Sequence, residues 1–253
     1  MTRYKAIIEY DGTGFCGMQM QKEHLTVEGE IVKALKIITK QDNIIKFAGR
    51  TDAGVHALGQ VIAFDFNQES IPVNKIISDY RIFAGLNFFL SPIGICVVSL
   101  EKTTDDFDPR RDAIQRSYIY KIINRRTPPV IDRLRKWHVP YSIDVEKMKE
   151  ASKYFIGKYD FTSFRSIECT APNPIRSIDS ITITQSGDDI EILISARSFL
   201  HKMVRNIVGT LIEIAKNKNL EPSIIQTIIA ARDRSKAFTT APAHGLYFLN
   251  VVY

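Results

Sequence analysis

Asp52 is the acidic residue of this sequence whose setting can do chemistry. It lies in the run Ala48-Gly49-Arg50-Thr51-Asp52-Ala53-Gly54-Val55-His56-Ala57-Leu58-Gly59-Gln60. Asp with Gly two positions on is also what a tight turn needs, and a turn is the ordinary meaning of such a pair. Three features argue for more than a turn. The loop is far longer than a two-residue hairpin connection. Arg50 stands two residues before Asp52, so in extended chain both side chains point the same way, and pairing would keep the carboxylate ionised. Gly49, Gly54 and Gly59 allow close approach by a ligand backbone. His56 is a candidate base, but a lone His is more often a hydrogen-bonding scaffold, and no second His or Cys makes it a metal ligand.

Two further segments carry chemistry-bearing side chains. In Arg116-Ser117-Tyr118-Ile119-Tyr120-Lys121 the alternation of a strand puts Tyr118 and Tyr120 on one face. They pack a half-exposed sheet, or one of them stacks on a base while arginines hold phosphates. In Ser198 to Thr210, Val204, Ile207, Val208 and Leu211 form the apolar stripe of a helix. Arg205 stands beside that stripe, where a charge must be paired or reach a cleft, and a carboxylate such as Asp52 would suit it.

The elements that must position these residues read as two α+β halves. Tyr4–Tyr10 is a strand, Thr26 caps a helix from Val27 through Ile38, Ile44–Ala48 and Gln60–Phe66 form a hairpin, Pro72–Phe83 is helical and Ile95–Leu100 is a strand. That order, β-α-β-β-α-β, is the ferredoxin-like unit. The second half repeats it: strand Ser117–Ile123, helix Val145–Phe155 capped by Asp144, paired strands Ile178–Thr184 and Ile190–Ala196, helix Phe199–Lys216, an extra helix Pro222–Arg232, and a closing strand Leu246–Val252. The expected division is residues 1–105 and 106–253, with mixed, mainly antiparallel sheets flanking a central active-site cleft. Asn124–Pro140, with Pro128-Pro129, reads as a long connection.

Composition excludes several classes. With 253 residues, 45% hydrophobic and 25% charged, the chain is neither disordered nor fibrous. Cys16, Cys96 and Cys169 form no C-x-x-C pair, so neither a disulfide framework nor a zinc site is expected. No signal peptide is expected at the N-terminus. Ile82–Leu100 carries no charge, but Gly85, Pro92 and Gly94 interrupt it, so a soluble protein without membrane association is expected. The net charge is +6. Arg110 to Lys136 holds seven Arg and two Lys against Asp112 and Asp132, a local +7, which leaves the remainder at −1. Such a segment fits either a polyanion or a solvated surface.

Tyr10-Asp11-Gly12-Thr13-Gly14-Phe15-Cys16-Gly17-Met18-Gln19, the Gly49–Gln60 loop, Asp160 to Arg165, Phe199 to Gly209 and Ala241 to Tyr247 occur in the order, and cover nearly the length, of the tRNA pseudouridine synthase A family. The chain resembles that family, with Met18 where the family often has Trp. The resemblance implies a pseudouridine synthase fold, a cytoplasmic, cofactor-free homodimer without a metal, and isomerisation of uridine at positions 38, 39 and 40 of the tRNA anticodon stem-loop. It also implies that Asp52 is the catalytic carboxylate, that Arg50 is the loop arginine, that Arg205 pairs with the catalytic Asp, and that Tyr118 contacts the target base. Arg110, Arg111, Arg116, Arg125 and Arg126 are the expected phosphate contacts.

The chemistry asks for little else. The N1–C1′ bond of uridine breaks, the base turns, and C5 bonds to C1′, with no redox or hydrolytic step. A carboxylate can attack C1′, add to C6, or take the 2′ proton to give a glycal. A stacked target must flip out to be reached. Two other readings are weighed. A non-catalytic RNA binder built from two RRM-like halves needs exposed aromatics on a central strand, which Lys46 to Gly49 and Ile181 to Thr184 do not supply. A sugar hydrolase needs a second acid close to Asp52, and the loop offers none.

Overall fold

The computed structural model describes residues 1–67 and 77–253. The chain divides into two compact units: Met1–Ile114 with Phe248–Tyr253, and Gln115–Tyr247.

The first unit runs β1 (Thr2–Tyr10), α1 (Val27–Thr39), β2 (Ile45–Phe47), β3 (His56–Phe66), α2 (Asp79–Leu90) and β4 (Ile95–Thr103). Strand β1 pairs antiparallel with both β3 and β4, and β2 pairs antiparallel with β3. This is the expected ferredoxin-like order. Along β1 the inward positions Tyr4, Ala6, Ile8 and Tyr10 are buried, the period-2 pattern of a strand with one face on a core. That core is closed by Ile31 and Leu35 of α1 and by Ile82 and Leu86 of α2. Thr26 caps α1 by accepting from the Gly29 N–H, with Glu28 and Glu30 in the first turn.

Helix α2 differs from expectation. Residues 72–76 of the anticipated helix lie outside the described residues, and the helix itself starts at Asp79 and continues to Leu90. Ser78 accepts from the Arg81 N–H, and the Tyr4 hydroxyl donates to Asp79 at 2.6 Å, so the start is set by a cap and a tertiary bond. The uncharged stretch 82–100 thus splits into the body of α2, a short turn at Ser91–Ile93 and the first half of β4. Among the described residues no helix is long and apolar enough to cross a membrane.

The second unit runs β5 (Gln115–Asn124), β6 (Trp137–Val139), α3 (Val145–Ser152), β7 (Gly157–Asp160), β8 (Ile175–Ser186), β9 (Asp189–Ala196), α4 (Met203–Lys216) and α5 (Ile224–Ala231). Strands β5, β9, β8 and β7 are successive antiparallel neighbours, while β6 lies parallel to β5, so the sheet is mixed and mainly antiparallel. The long connection after Asn124 contains β6, and a turn before β8 contains β7. Both are too short to announce themselves in sequence. Strand β10 (Leu246–Val252) closes the chain.

Helix α4 starts four residues later than its periodicity implies, because Lys202 adopts a left-handed conformation (φ 61°) that no helix can contain. Once begun, α4 is buried over most of its circumference, and its polar Asn206 and Thr210 are buried with it. Gly209 lies against the backbone of the 239–241 segment: a Cβ there would sit 1.8 Å from the Thr239 carbonyl oxygen. Backbone cannot retreat as a flexible side chain can, so Gly209→Ala should lower stability by about 1–3 kcal/mol. Urea unfolding, read as a lowered midpoint at unchanged slope, measures it.

Candidate active site

The Asp52 loop is both a turn and more than one. The Val55 N–H donates to the Asp52 carbonyl at 3.1 Å, closing a turn with Gly54 at φ 76°, the positive value that favours glycine at that place. Asp52 therefore heads a turn whose shape is set by its own sequence. The position of that turn is set from outside. Gln60 of β3, wholly buried, donates to the Gly49 carbonyl at 2.7 Å and accepts from the Gly49 N–H at 3.3 Å, which fixes the loop's entry. The Met18 N–H donates to the Thr51 carbonyl at 3.1 Å, and the Gly54 N–H donates to the Phe15 carbonyl at 3.3 Å. Tyr10 and Thr51 share a hydroxyl–hydroxyl bond of 2.7 Å, with Tyr10 3% and Thr51 8% exposed.

The motif Tyr10 to Gln19 is thus the brace of the catalytic-loop candidate, and its function was not legible from its own residues. Met18 is fully buried and anchors the loop by its backbone. His56 is buried, and its Nδ1 accepts from the Gly12 N–H at 3.0 Å beside the Asp11 carboxylate at 3.1 Å, the scaffold arrangement rather than a poised base. Asp52 is half-buried and Arg50 exposed.

In the second unit Tyr118, buried, lies edge-on to Phe199 with ring centroids 5.1 Å apart. Tyr120 is buried beneath the 241–245 segment: its hydroxyl donates to the Pro242 carbonyl at 2.8 Å, and its ring leaves no room for a side chain at residue 245. Arg205 donates from Nε to the Ala241 carbonyl at 2.8 Å, and the Ala241 N–H returns a bond to the Arg205 carbonyl at 3.1 Å. The arginine is held by the same segment that covers Tyr120.

Asn206 is a residue that sequence reasoning passed over. Fully buried, it donates to the Phe164 carbonyl at 2.7 Å and accepts from Thr240 Oγ1 at 2.6 Å and Arg234 Nη2 at 3.1 Å. Arg234 also donates to the carbonyls of Ala237 and Phe238, and burial lowers the affinity of its guanidinium for its proton. The signal available in sequence was an Asn on the apolar side of a helix, which must find partners when buried.

The expected phosphate contacts divide. Arg116 is buried, and its guanidinium donates to the Arg197 carbonyl. Arg110 and Arg111 are exposed, and their backbone N–H groups donate to the Asp108 carboxylate. Arg125 donates to the Thr127 carbonyl and lies 3.8 Å from Asp188. Lys136 pairs with Asp132 and Asp189, which raise its proton affinity. Arg126 and Arg133 are exposed. Part of the local positive charge, at Arg125 and Lys136, is therefore answered by Asp188 and Asp189 of the β8–β9 turn. Among the described residues no cluster of His, Cys, Asp and Glu could hold a metal, and the three cysteines are free thiols.

Burial pushes the Tyr10 phenol up to about 12 and raises Tyr120 well above the ordinary phenol range. Unfolded tyrosines ionise near pH 10. From pH 10 towards 12 the unfolded chain sheds protons that the native chain keeps, so this part of the stability is complete below pH 10 and falls through that window. The fall should be shallower in Tyr10→Phe, by up to about 1.4 kcal/mol per pH unit. Urea midpoints of both proteins at pH 9 to 11.5 provide the comparison.

The model of a family described as tRNA pseudouridine synthase matches residues 6–78 and 151–253, which include Arg50, Asp52 and Arg205 and leave out Tyr118 and the arginines from 110 to 126. Full-length relatives cover those as well. The tRNA pseudouridine synthase A of Anaplasma marginale (strain Florida) is 43% identical over 254 residues, 99% of this chain and 100% of its own. That of Ehrlichia chaffeensis is 44% identical over 252 residues, with 99% and 100% covered. That of Azorhizobium caulinodans is 42% identical over 253 residues, with 100% and 95% covered. A chain of a solved Cbf5-Nop10-Gar1 complex superposes with a TM-score of 0.36 at 10% identity, over 83% of this chain and 45% of that one, a likeness too remote to bear on the site.

Proposed function

The chain belongs to the tRNA pseudouridine synthase family and isomerises uridine to pseudouridine in tRNA, and we propose that it does so at positions 38, 39 and 40 of the anticodon stem-loop with Asp52 as the catalytic carboxylate. The observation that supports Asp52 is its place at the head of a turn braced from both ends, inside the region matched by the family model. A flipped uridine brings its glycosidic bond to this carboxylate, and the flipped base is met by Tyr118. In this reading Arg50 and Arg205 are the arginines that orient the carboxylate. The reaction needs no cofactor, and the enzyme works as a cytoplasmic homodimer. Membership of an isomerase family removes the non-catalytic RNA binder and the sugar hydrolase as readings of the chain.

Asp52→Asn should abolish pseudouridine formation, measured by carbodiimide labelling of unmodified tRNA after incubation, while the circular dichroism spectrum and tRNA affinity stay as in the parent. Retained isomerisation would remove Asp52 from the mechanism. Tyr118→Phe should be mild where the ring stacks and severe where the hydroxyl moves a proton.

Exposed Arg126 is the stronger phosphate contact, since Arg125 is engaged by Asp188 and the Thr127 carbonyl. Arg126→Gln should weaken tRNA binding and reduce the slope of log K against log salt by about 1, with Arg125→Gln weaker in both respects. Filter binding from 50 to 300 mM KCl reads both.

A further inference from the structure

Beneath the Asp52 loop lies a group of neutral polar side chains that the reaction itself does not use. Tyr10 comes from the end of β1, Thr51 from the loop and Gln60 from β3, and none is more than 8% exposed. Tyr10 and Thr51 share the 2.7 Å bond, Gln60 holds both backbone groups of Gly49, and the Gln60 side chain is also a hydrogen-bonding neighbour of the Tyr10 hydroxyl.

Apolar replacements of the same shape would fill this space without desolvating three polar groups, and burying polar groups gains little net stability. What such a network does give is a single arrangement. Thr51 immediately precedes Asp52, and its carbonyl and hydroxyl are both held, the one by Met18 and the other by Tyr10. With Val55 tied back to the Asp52 carbonyl, the backbone on either side of Asp52 has little freedom to shift. We infer that Tyr10 and Thr51 are positioning residues of the isomerisation, retained to hold the Asp52 carboxylate in register with the glycosidic bond. This rests on the role proposed for Asp52.

Replacing both hydroxyls together separates positioning from stability. Tyr10→Phe leaves the Thr51 hydroxyl buried without its Tyr10 partner and lowers the urea midpoint, and Thr51→Val leaves the Tyr10 hydroxyl with Gln60 alone and lowers it less. In the double variant no hydroxyl is stranded, and the midpoint returns towards that of the parent. Turnover does not return. Because a displacement of an ångström at a reacting group costs up to about 100-fold, kcat of the double variant should fall about 10- to 100-fold at unchanged KM for unmodified tRNA. Thr51→Ser, which keeps the hydroxyl, should hold kcat within about threefold of the parent (a fraction of a tenfold step in barrier).

A stable double variant with the parent's kcat overturns the inference, as does a Thr51→Ser variant as slow as Thr51→Val, a comparison that stands even where the double variant folds poorly. The Asp52→Asn measurement keeps the two readings apart. An active Asp52→Asn protein removes the premise, whereas an inactive one beside a fully active double variant removes only the role of the network.

Discussion

A carboxylate on a loop has no fixed position of its own, and the site in the first unit depends on what removes that freedom. The loop from Gly49 to Val55 carries too few apolar side chains to be held by packing. Its place is set by neutral hydrogen bonds to Gln60, Tyr10, Met18 and Phe15, most of them sheltered from water. Shelter is what gives these bonds direction: in a low-dielectric interior the alternative to the bond is an unpaired polar group, which is costly, so few other arrangements compete. Conformational freedom at Gly54 lets the chain turn sharply enough to leave Asp52 half-buried while Thr51 is buried.

The second unit meets the same problem with a charged residue. Arg205 leaves a helix that is mostly core, and its Nε is held by the Ala241 carbonyl while its own carbonyl accepts from Ala241. The neighbouring segment is kept close by Gly209, which has no side chain to push it away, and by Asn206, which ties Thr240 and Arg234 to α4. Tyr120 closes the arrangement from the sheet through Pro242. In both units the chemistry-bearing residue sits next to backbone that several distant residues hold, which is how rigid geometry is obtained from loops.

The charge of the chain acquires a different meaning in three dimensions. The +7 between Arg110 and Lys136 is partly met from outside the segment by Asp188 and Asp189, and Arg116 is drawn into the interior. Net charge along a segment therefore overstates the field it presents to a polyanion. The exposed arginines, Arg126 and Arg133 among them, carry what remains.

The longer elements and their order were determined by the sequence alone, since period-2 and period-3.6 patterns, an N-cap such as Thr26 or Asp144, and a turn such as Ser186 to Asp188 are local signals that neighbouring residues suffice to produce. The identity of the candidate carboxylate was legible too, because its turn chemistry and the motif around it are contiguous. The start of α2, the late start of α4 at the left-handed Lys202, and the short strands β6 and β7 were not, since each is decided by tertiary contacts or by too few residues to show a period. The same reason hid the partners that matter most. Tyr10 and Thr51 are 41 residues apart and Arg205 and Ala241 are 36 apart, and a hydrogen bond across such a distance exists only after the sheet and helices have brought its two ends together.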